Sequence, residues 1–330
     1  MTARFDDQLA ACVRRFCAGA TGVGGVAPLS GGASQETFAF TILHPDGDCD
    51  AILRRAPPGS GAPSARAAGL DAEASLMRLA FAAGVPSPRV LHVLTPSDDL
   101  GSGFIMAKVE GETIPRKILR DTQFDDVRPR LARQLGDILA GIHAVDRAKL
   151  PSLRTMSTTS EIAQLDQEYR GFGWPRPVFE LALRWLADHD PGPSTQLTLV
   201  HGDFRHGNLI IGPDGVRAVL DWELAHLGDP MEDLGWICVN SWRFGEIDQP
   251  VGGLGSREEL FAGYAARGGI VDPARQNFWE VMGTLRWGLM CCGMMQRFRD
   301  GPDHSMERAM IGRRASETEI DLLRLLAPRS

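Results

Sequence analysis

The hydrophobic pattern of this chain changes its period once, near residue 109. Ahead of that point apolar residues tend to alternate. "TFAFTIL" (Thr37–Leu43) is rich in β-formers, "HPDGD" offers a turn, and "AILRRA" (Ala51–Ala56) supplies the return strand of a hairpin. "RVLHVL" and "GFIMAKV" (Gly103–Val109) read as two further strands. One helix crosses them over Asp71–Ala83, with Leu76, Leu79, Ala80 and Ala83 on one face. Beyond the polar connection "EGETIPRK" the period is helical. Leu131, Leu135, Ile138, Leu139 and Ile142 make one stripe, and Val178, Leu181, Ala182 and Trp185 a second. Phe278, Met282, Leu285 and Leu289 make a third, and Leu322–Leu326 closes a last helix. The switch predicts an α+β chain in two lobes: a small β-rich lobe with one helix over residues 1–108, and a larger, mostly helical lobe over 109–330. A length of 330 residues suits such a division, since domains run to about 100–200 residues each.

Short strands return only between Leu197 and Trp222, and they frame a dense polar segment. "LVHGDFRHGNLII" (Leu199–Ile211) holds His201, Asp203, His206 and Asn208 between two apolar runs, whereas a plain turn needs only glycine and one Asn or Asp. Asp203 follows a strand, where a carboxylate can take a proton from a substrate hydroxyl. Asn208 opens the next strand, and an amide oxygen there can ligate a hard cation such as Mg²⁺. After the turn "GPDG" (Gly212–Gly215) the chain returns, so that Asp221 at the end of "AVLDWE" can come back beside Asn208. One carboxylate and one amide oxygen on neighbouring strands fit a magnesium–nucleotide site, with Asp203 standing apart as base.

"HGDFRHGN" followed by "VLDWE" resembles the signature of the aminoglycoside phosphotransferase-like (choline-kinase-like) superfamily, and "GDPMEDLGW" (Gly228–Trp236) is similar to that family's next segment. The text "LRRAPPG" after the second strand looks like the kinase-like domains linked to acyl-CoA dehydrogenases. The resemblance implies a protein-kinase-like two-lobed fold and an ATP-dependent phosphotransferase using ATP and Mg²⁺. It implies Asp203 as catalytic base, His201 ordering the loop, Asn208 and Asp221 on the metal, and Asp229 and Asp233 bracing from behind. In the N-terminal lobe, Gly31, Gly32 and Ser34 of "LSGGASQETF" would cover the phosphates with backbone N–H groups. No GxxxxGK[ST] occurs, which excludes a Walker-type loop. Kinase-like folds place a lysine on the third strand, paired to a helix glutamate. Here Arg54 stands in that place with Glu73 as its partner, and Arg55 competes for the role. Ala107 and Val109, in the hinge from Met106 to Val109, would meet the adenine through backbone groups.

A net charge of −7 argues against a general nucleic-acid binder. The most apolar stretch, near Leu285–Met295, contains Arg286 and is too short to span a bilayer, and the N-terminus lacks the apolar run of a secretory signal. Six cysteines without CxxC spacing read as free thiols in a reducing cytoplasm. The expected partner is therefore a small-molecule hydroxyl acceptor. A hydroxyacyl compound or other metabolite ranks above an aminoglycoside, although Glu161, Asp166, Glu168 and Glu246 could build the acidic cleft that a polycation needs. Two other readings compete. His201 and Asp203 have the HxD spacing that begins a non-haem iron site, with His206, His226 or His304 as third ligand. A catalytically silent nucleotide-binding protein would keep the fold, and arginine in place of lysine is its main support.

Overall fold

The computed structural model describes residues 3–29, 35–57, 59, 66–301 and 304–327. Helix α1 (Ala3–Phe16) precedes strands β1 (Gly22–Pro28), β2 (Glu36–Leu43) and β3 (Cys49–Arg55). Helix α2 (Leu70–Ala82) then leads to β4 (Val90–Val93) and β5 (Gly103–Ala107). The five strands form one antiparallel sheet in the order β1-β2-β3-β5-β4. The expected hairpin is β2–β3, with Phe38 opposite Leu53 and Phe40 opposite Ala51.

Strand alternation sends side chains to two different cores. Phe38, Phe40, Ile42 and Leu53 pack with Leu9 and Val13 of α1. Phe104 and Val90 belong instead to the large core that α2 shares with the helical part. The same alternation separates the two arginines of β3. Arg55 lies on the α1 face, its guanidinium 4.5 Å from the Phe5 ring. Arg54 lies on the α2 face, against Glu73.

Two elements go beyond the single-helix lobe read from the sequence. In α1, Phe5, Leu9, Cys12 and Val13 recur at helical spacing and are buried. β1 contains Gly22, Gly24 and Gly25, a poor strand pattern by itself. It is held as a strand by pairing to β2, through an irregularity between Gly24 and Ala27.

The helical part runs α3 (Pro115–Arg120), α4 (Arg128–His143), α5 (Thr158–Phe172) and α6 (Pro177–Asp188). Next come the short strands β6 (Thr198–Val200), β7 (Leu209–Gly212), β8 (Gly215–Val219) and β9 (His226–Gly228). The chain ends with α7 (Met231–Trp236), α8 (Arg257–Ala266), α9 (Pro273–Asp300), α10 (Met306–Gly312) and α11 (Ala315–Leu326). The α4 stripe expected from the sequence is buried throughout, as is that of α9. At about 1.5–3 kcal/mol per fully buried aliphatic side chain, these two stripes anchor the helical part. α4 and α8 touch through glycines: a Cβ on Gly136 or Gly263 would overlap the Leu260 or Arg133 backbone carbonyl. On α6 the expected stripe is out of phase. Leu181 is 49% exposed, and the buried face is Phe179, Ala182, Leu183 and Leu186. The charged stripe of Glu180, Arg184 and Asp188 lies opposite this buried face, which packs against α9 and α11.

The four short strands form two antiparallel pairs, β6 with β9 and β7 with β8. Val200 stands opposite His226, and Leu209 opposite Val219. The polar segment hangs between these pairs.

Candidate active site

The loop from His201 to Asn208 is tied down from below by one carboxylate. Asp233 of α7 accepts the His201 N–H at 2.8 Å and the Gly202 N–H at 2.9 Å, and its Oδ2 lies 3.1 Å from Nε2 of His143. His143 is itself buried, with Nδ1 2.9 Å from the Tyr264 hydroxyl. Asp233 therefore braces the loop as expected. Asp229 instead accepts the Met231 N–H and pairs with Arg275 of α9 at 2.7 Å, so it anchors α7 rather than the loop. Gly202 needs its lack of side chain. Its φ is +82°, and a Cβ would stand 2.7 Å from the Leu224 carbonyl oxygen.

His201 is fully buried. Its Nδ1 accepts the Asp203 N–H at 3.3 Å, which fixes the proton on Nε2, and Nε2–H donates to the Leu220 carbonyl at 3.0 Å. Burial holds the ring below the usual histidine range, against the pull of Asp233 and Asp203, so it stays neutral. The ring thus joins the Asp203 loop to the residue next to Asp221. Both nitrogens are used inside the protein, which removes His201 as an iron ligand. Nε2 of His206 lies 2.6 Å from the Gly252 carbonyl, and burial pushes this ring down to about 4. His226 is engaged by Glu232, and His304 by the Phe298 carbonyl. The iron-site reading finds no converging set among them.

The Asp203 carboxylate is 14% exposed and held by three donors. Oδ1 accepts from Arg205 Nε and from Trp236 Nε1, each at 2.9 Å, and Oδ2 accepts from Asn208 Nδ2 at 2.7 Å. Trp236 comes from α7, and the sequence reading did not single it out. The only advance signal was its place in "GDPMEDLGW". Arg205 also lies 4.8 Å from the Trp242 ring, so it is a bound group rather than a solvated charge.

The Asn208 amide is oriented by chemistry. It faces Asp203 O at 2.9 Å as well as Oδ2, and both are acceptors, so nitrogen must face them. Oδ1 then points away from Asp203, and it is the atom that could meet a cation. Asp221 is close by, because the Leu220 N–H donates to the Asn208 carbonyl at 2.8 Å. Asp221 adopts φ 64°, ψ 67°, a left-handed conformation uncommon for a residue with a side chain. An amide oxygen and a carboxylate oxygen are hard donors of the kind that suit Mg²⁺.

Arg54 fills the space between the sheet and this loop. Its Nε lies 3.3 Å from Glu73 Oε2, while Nη2 lies 2.6 Å from Asp221 Oδ1 and 3.7 Å from Glu223 Oε2. Gln35 bonds both Arg54 and Glu73. Burial works against the guanidinium charge, but Glu73, Asp221 and Glu223 outweigh it and raise the arginine further. Burial pushes Glu73 up to about 7, with Arg54 opposing. Arg55 pairs with Glu36 at 2.9 Å on the other face of the sheet, away from this site. Ala107 ends β5 with its N–H already donated to the Arg89 carbonyl, so its free group is the carbonyl. The Val109 N–H donates to no backbone carbonyl among the described residues. Gly31, Gly32 and Ser34 lie outside the described residues.

The sequence model of the phosphotransferase enzyme family (APH) matches residues 25–270. The chain belongs to that family. Its fold is that of solved relatives. A candidate aminoglycoside phosphotransferase from Ralstonia eutropha superposes with a TM-score of 0.74 over 97% of both chains, at 23% identity. Aminoglycoside phosphotransferase APH(4)-Ia, solved with AMP-PNP and hygromycin B, gives 0.62 over 99% of this chain and 100% of its own, at 16% identity. Among curated proteins, acyl-CoA dehydrogenase family member 10 of Mus musculus is 30% identical over 86% of this phosphotransferase. Only 27% of that mouse protein is matched, and 42% of family member 11 of Gallus gallus, so the chain spans less than half of such relatives. Streptomycin 3''-kinase of Streptomyces griseus is 27% identical over 81% of this chain and 98% of its own length. Among the described residues no helix is long and apolar enough to cross a membrane.

Proposed function

We propose that this phosphotransferase moves the γ-phosphoryl group of ATP to a hydroxyl of a small molecule, with Asp203 as base and with Asn208 and Asp221 as the magnesium ligands. Residues 1–108 would carry the nucleotide side, and 109–330 the base and the acceptor. The observation that carries the reading is the hydrogen-bonded unit of Asp203, Asn208 and the strand end at Leu220–Asp221. Oδ1 of Asp203 takes two donors and Oδ2 one, which leaves Oδ2 with more lone-pair capacity for an incoming hydroxyl. As the acceptor oxygen bonds to the γ-phosphorus, its proton passes to Asp203, and the bond to the bridging oxygen of ADP breaks. When bound, Mg²⁺ supplies charge neutralisation on the phosphate oxygens. Arg54 would hold the α- and β-phosphates, and Ala107 and Val109 would offer backbone groups to the adenine. His201 positions the loop without touching the substrate.

The acceptor is best read as a hydroxyacyl compound or similar metabolite, in line with the acyl-CoA dehydrogenase relatives. Two of the four acids that an acidic cleft for a polycation would draw on are already committed: Glu161 is buried against Arg286 at 3.1 Å, and Asp166 pairs with Arg170. Glu168 is half-buried, and Glu246 is exposed.

ADP release over a panel of hydroxyl compounds tests the reading, with Asp203→Asn as control. Loss of the base should lower kcat by about 10²–10⁴-fold and leave nucleotide affinity in place. Normal turnover in that variant removes Asp203 from the role. A catalytically silent chain is the second reading, favoured by the Arg54–Asp221 contact, which occupies the metal carboxylate. Magnesium-dependent ADP release no faster than that of Asp203→Asn would select it.

A further inference from the structure

Next to the base lies a cluster of arginines that the reaction above does not use. Arg286 of α9 is buried between Glu161 at 3.1 Å and Glu232 at 2.9 Å. Its guanidinium stands 5.8 Å from the ring of Trp236, the residue that donates to Asp203. Arg66 approaches Glu161 at 3.6 Å. Its segment is drawn down onto the chain beyond Asp221 by the Ala68 N–H, which donates to the Glu223 carbonyl at 2.7 Å. Arg154 completes the group. Its backbone pairs with Leu227 of β9, and β9 pairs with β6, the strand that runs into His201–Asp203.

Arg154 is the anomaly. It is half-buried, and among the described residues no carboxylate lies within 4 Å of it. Its Nε is buried without a partner, as are Arg66 Nη2 and Arg286 Nε. Its Nη2 lies 3.4 Å from Nδ1 of His226. That nitrogen already faces the Leu224 carbonyl at 2.9 Å, so it acts as a donor and cannot accept from arginine. Glu232 is within electrostatic range of Arg154 but is already taken by His226 at 3.0 Å and by Arg286. Glu168 is half-buried and within electrostatic range of Arg66 and Arg286, but within 4 Å of no cation among the described residues. Burial holds Arg154 below the usual arginine range; Glu232 and Glu161 pull the other way, and Arg286 and Arg66 add to the drop. A guanidinium withdrawn from water with a buried N–H left unpaired is costly, and a bound anion that accepts from it removes that cost. The side chain of Arg66 is 32% exposed, so the cluster is open at one edge.

We propose that Arg154, with Arg66 and Arg286, forms an anion subsite of the acceptor pocket, and that the acceptor is an alcohol carrying a carboxylate or phosphate group. The proposal rests on the reading of Asp203 as base only for its position beside the acceptor hydroxyl. The guanidinium fork suits both anions, and it disfavours the polycations that an aminoglycoside site would take.

Thermal-shift titrations of the full chain, with magnesium–ADP saturating, test it. The probes are 3-hydroxybutyrate, glycerol 3-phosphate and methyl 3-hydroxybutyrate. At least one anion should raise the melting temperature, the neutral ester should not, and Arg154→Gln should weaken the anion's apparent affinity tenfold or more. Arg154→Lys should retain part of it. A response to the carboxylate alone or to the phosphate alone identifies the group. Glu168→Gln should tighten the anion. If it instead lowers thermal stability and leaves anion affinity unmoved, Glu168 is the internal partner of Arg154 and the subsite falls. The subsite also falls if neither anion stabilises the wild type, or if Arg154→Gln responds equally. These outcomes need no turnover. Anion binding without ADP release overturns the kinase reading and leaves the subsite standing.

Discussion

Arg54 and Asp221, 167 residues apart in the chain, meet with Nη2 2.6 Å from Oδ1. One is the cation on the third strand, and the other is the carboxylate proposed for the metal. The same carboxylate cannot serve both fully, so on the proposed assignment nucleotide entry would exchange the guanidinium on Asp221 for phosphate and metal. Arg54→Met should therefore lower kcat/KM for the nucleotide by about 10²-fold, since charge-assisted bonds of this kind contribute about 1.5–3 kcal/mol each. Arg54→Lys should retain more activity than Arg54→Met. Steady-state kinetics at varied ATP give the comparison, and equal losses in the two variants would refute the charge argument.

Trp236 donates its indole N–H to Asp203, the proposed base. Trp236→Phe keeps most of the packing and removes that donor. The expected result is a kcat roughly 10–100-fold lower, in keeping with one hydrogen bond to a charged group of about 1.5–3 kcal/mol. The nucleotide KM should stay put. A change confined to KM would show that the tryptophan acts elsewhere.

Asp233 collects two loop N–H groups and His143 in a fully buried setting. Asp233→Ala leaves those donors without an acceptor, and a loss of about 3 kcal/mol or more is expected. Denaturant unfolding measures it. A loss under about 1 kcal/mol would mean that water replaces the carboxylate, so the brace is not structural.

Gly202→Ala should abolish activity more than stability. The side chain would enter a left-handed conformation against the Leu224 carbonyl, and the loop would have to move away from the chain after Asp221. Turnover and melting temperature on the same preparation separate the two effects, and wild-type turnover would show that the close approach is dispensable.

Glu73 gives a pH signature. Its folded value of about 7 lies above the ordinary 4.5, so the folded state binds the extra proton between those values. Stability from this group is full below about 4.5 and is lost as pH rises through about 7. Glu73→Gln should flatten the melting temperature across that window relative to wild type. An unchanged slope would assign the titration to another group.

Much of this was legible in the residues. The switch from alternation to helical periods marked the strands β2, β3, β4 and β5 and the helices α2, α4, α9 and α11, because local burial sets those periods. The segment from His201 to Asp221 stood out as a candidate site, since so many polar groups between apolar strands need a reason, and the structure brings Asp203 and Asn208 into hydrogen-bond contact. β1 was not legible, because its glycines become a strand only when β2 offers a ladder. The buried face of α6 was legible in the spacing of Glu180, Arg184 and Asp188, which mark the exposed side; the stripe of Val178, Leu181, Ala182 and Trp185 was set without them.

The sequence by itself determined which residues could do chemistry here and which of them lie close along the chain: Asp203, Asn208 and their hairpin return to Asp221. Tertiary structure alone decided which arginine of β3 meets Glu73, that Trp236 reaches Asp203, and that Nε of Arg154 is left without a hydrogen-bond partner. The physical reason is range. Turn chemistry and periodicity act over a few residues, whereas the partner of a buried charge is set by whatever the fold brings within about 4 Å of it.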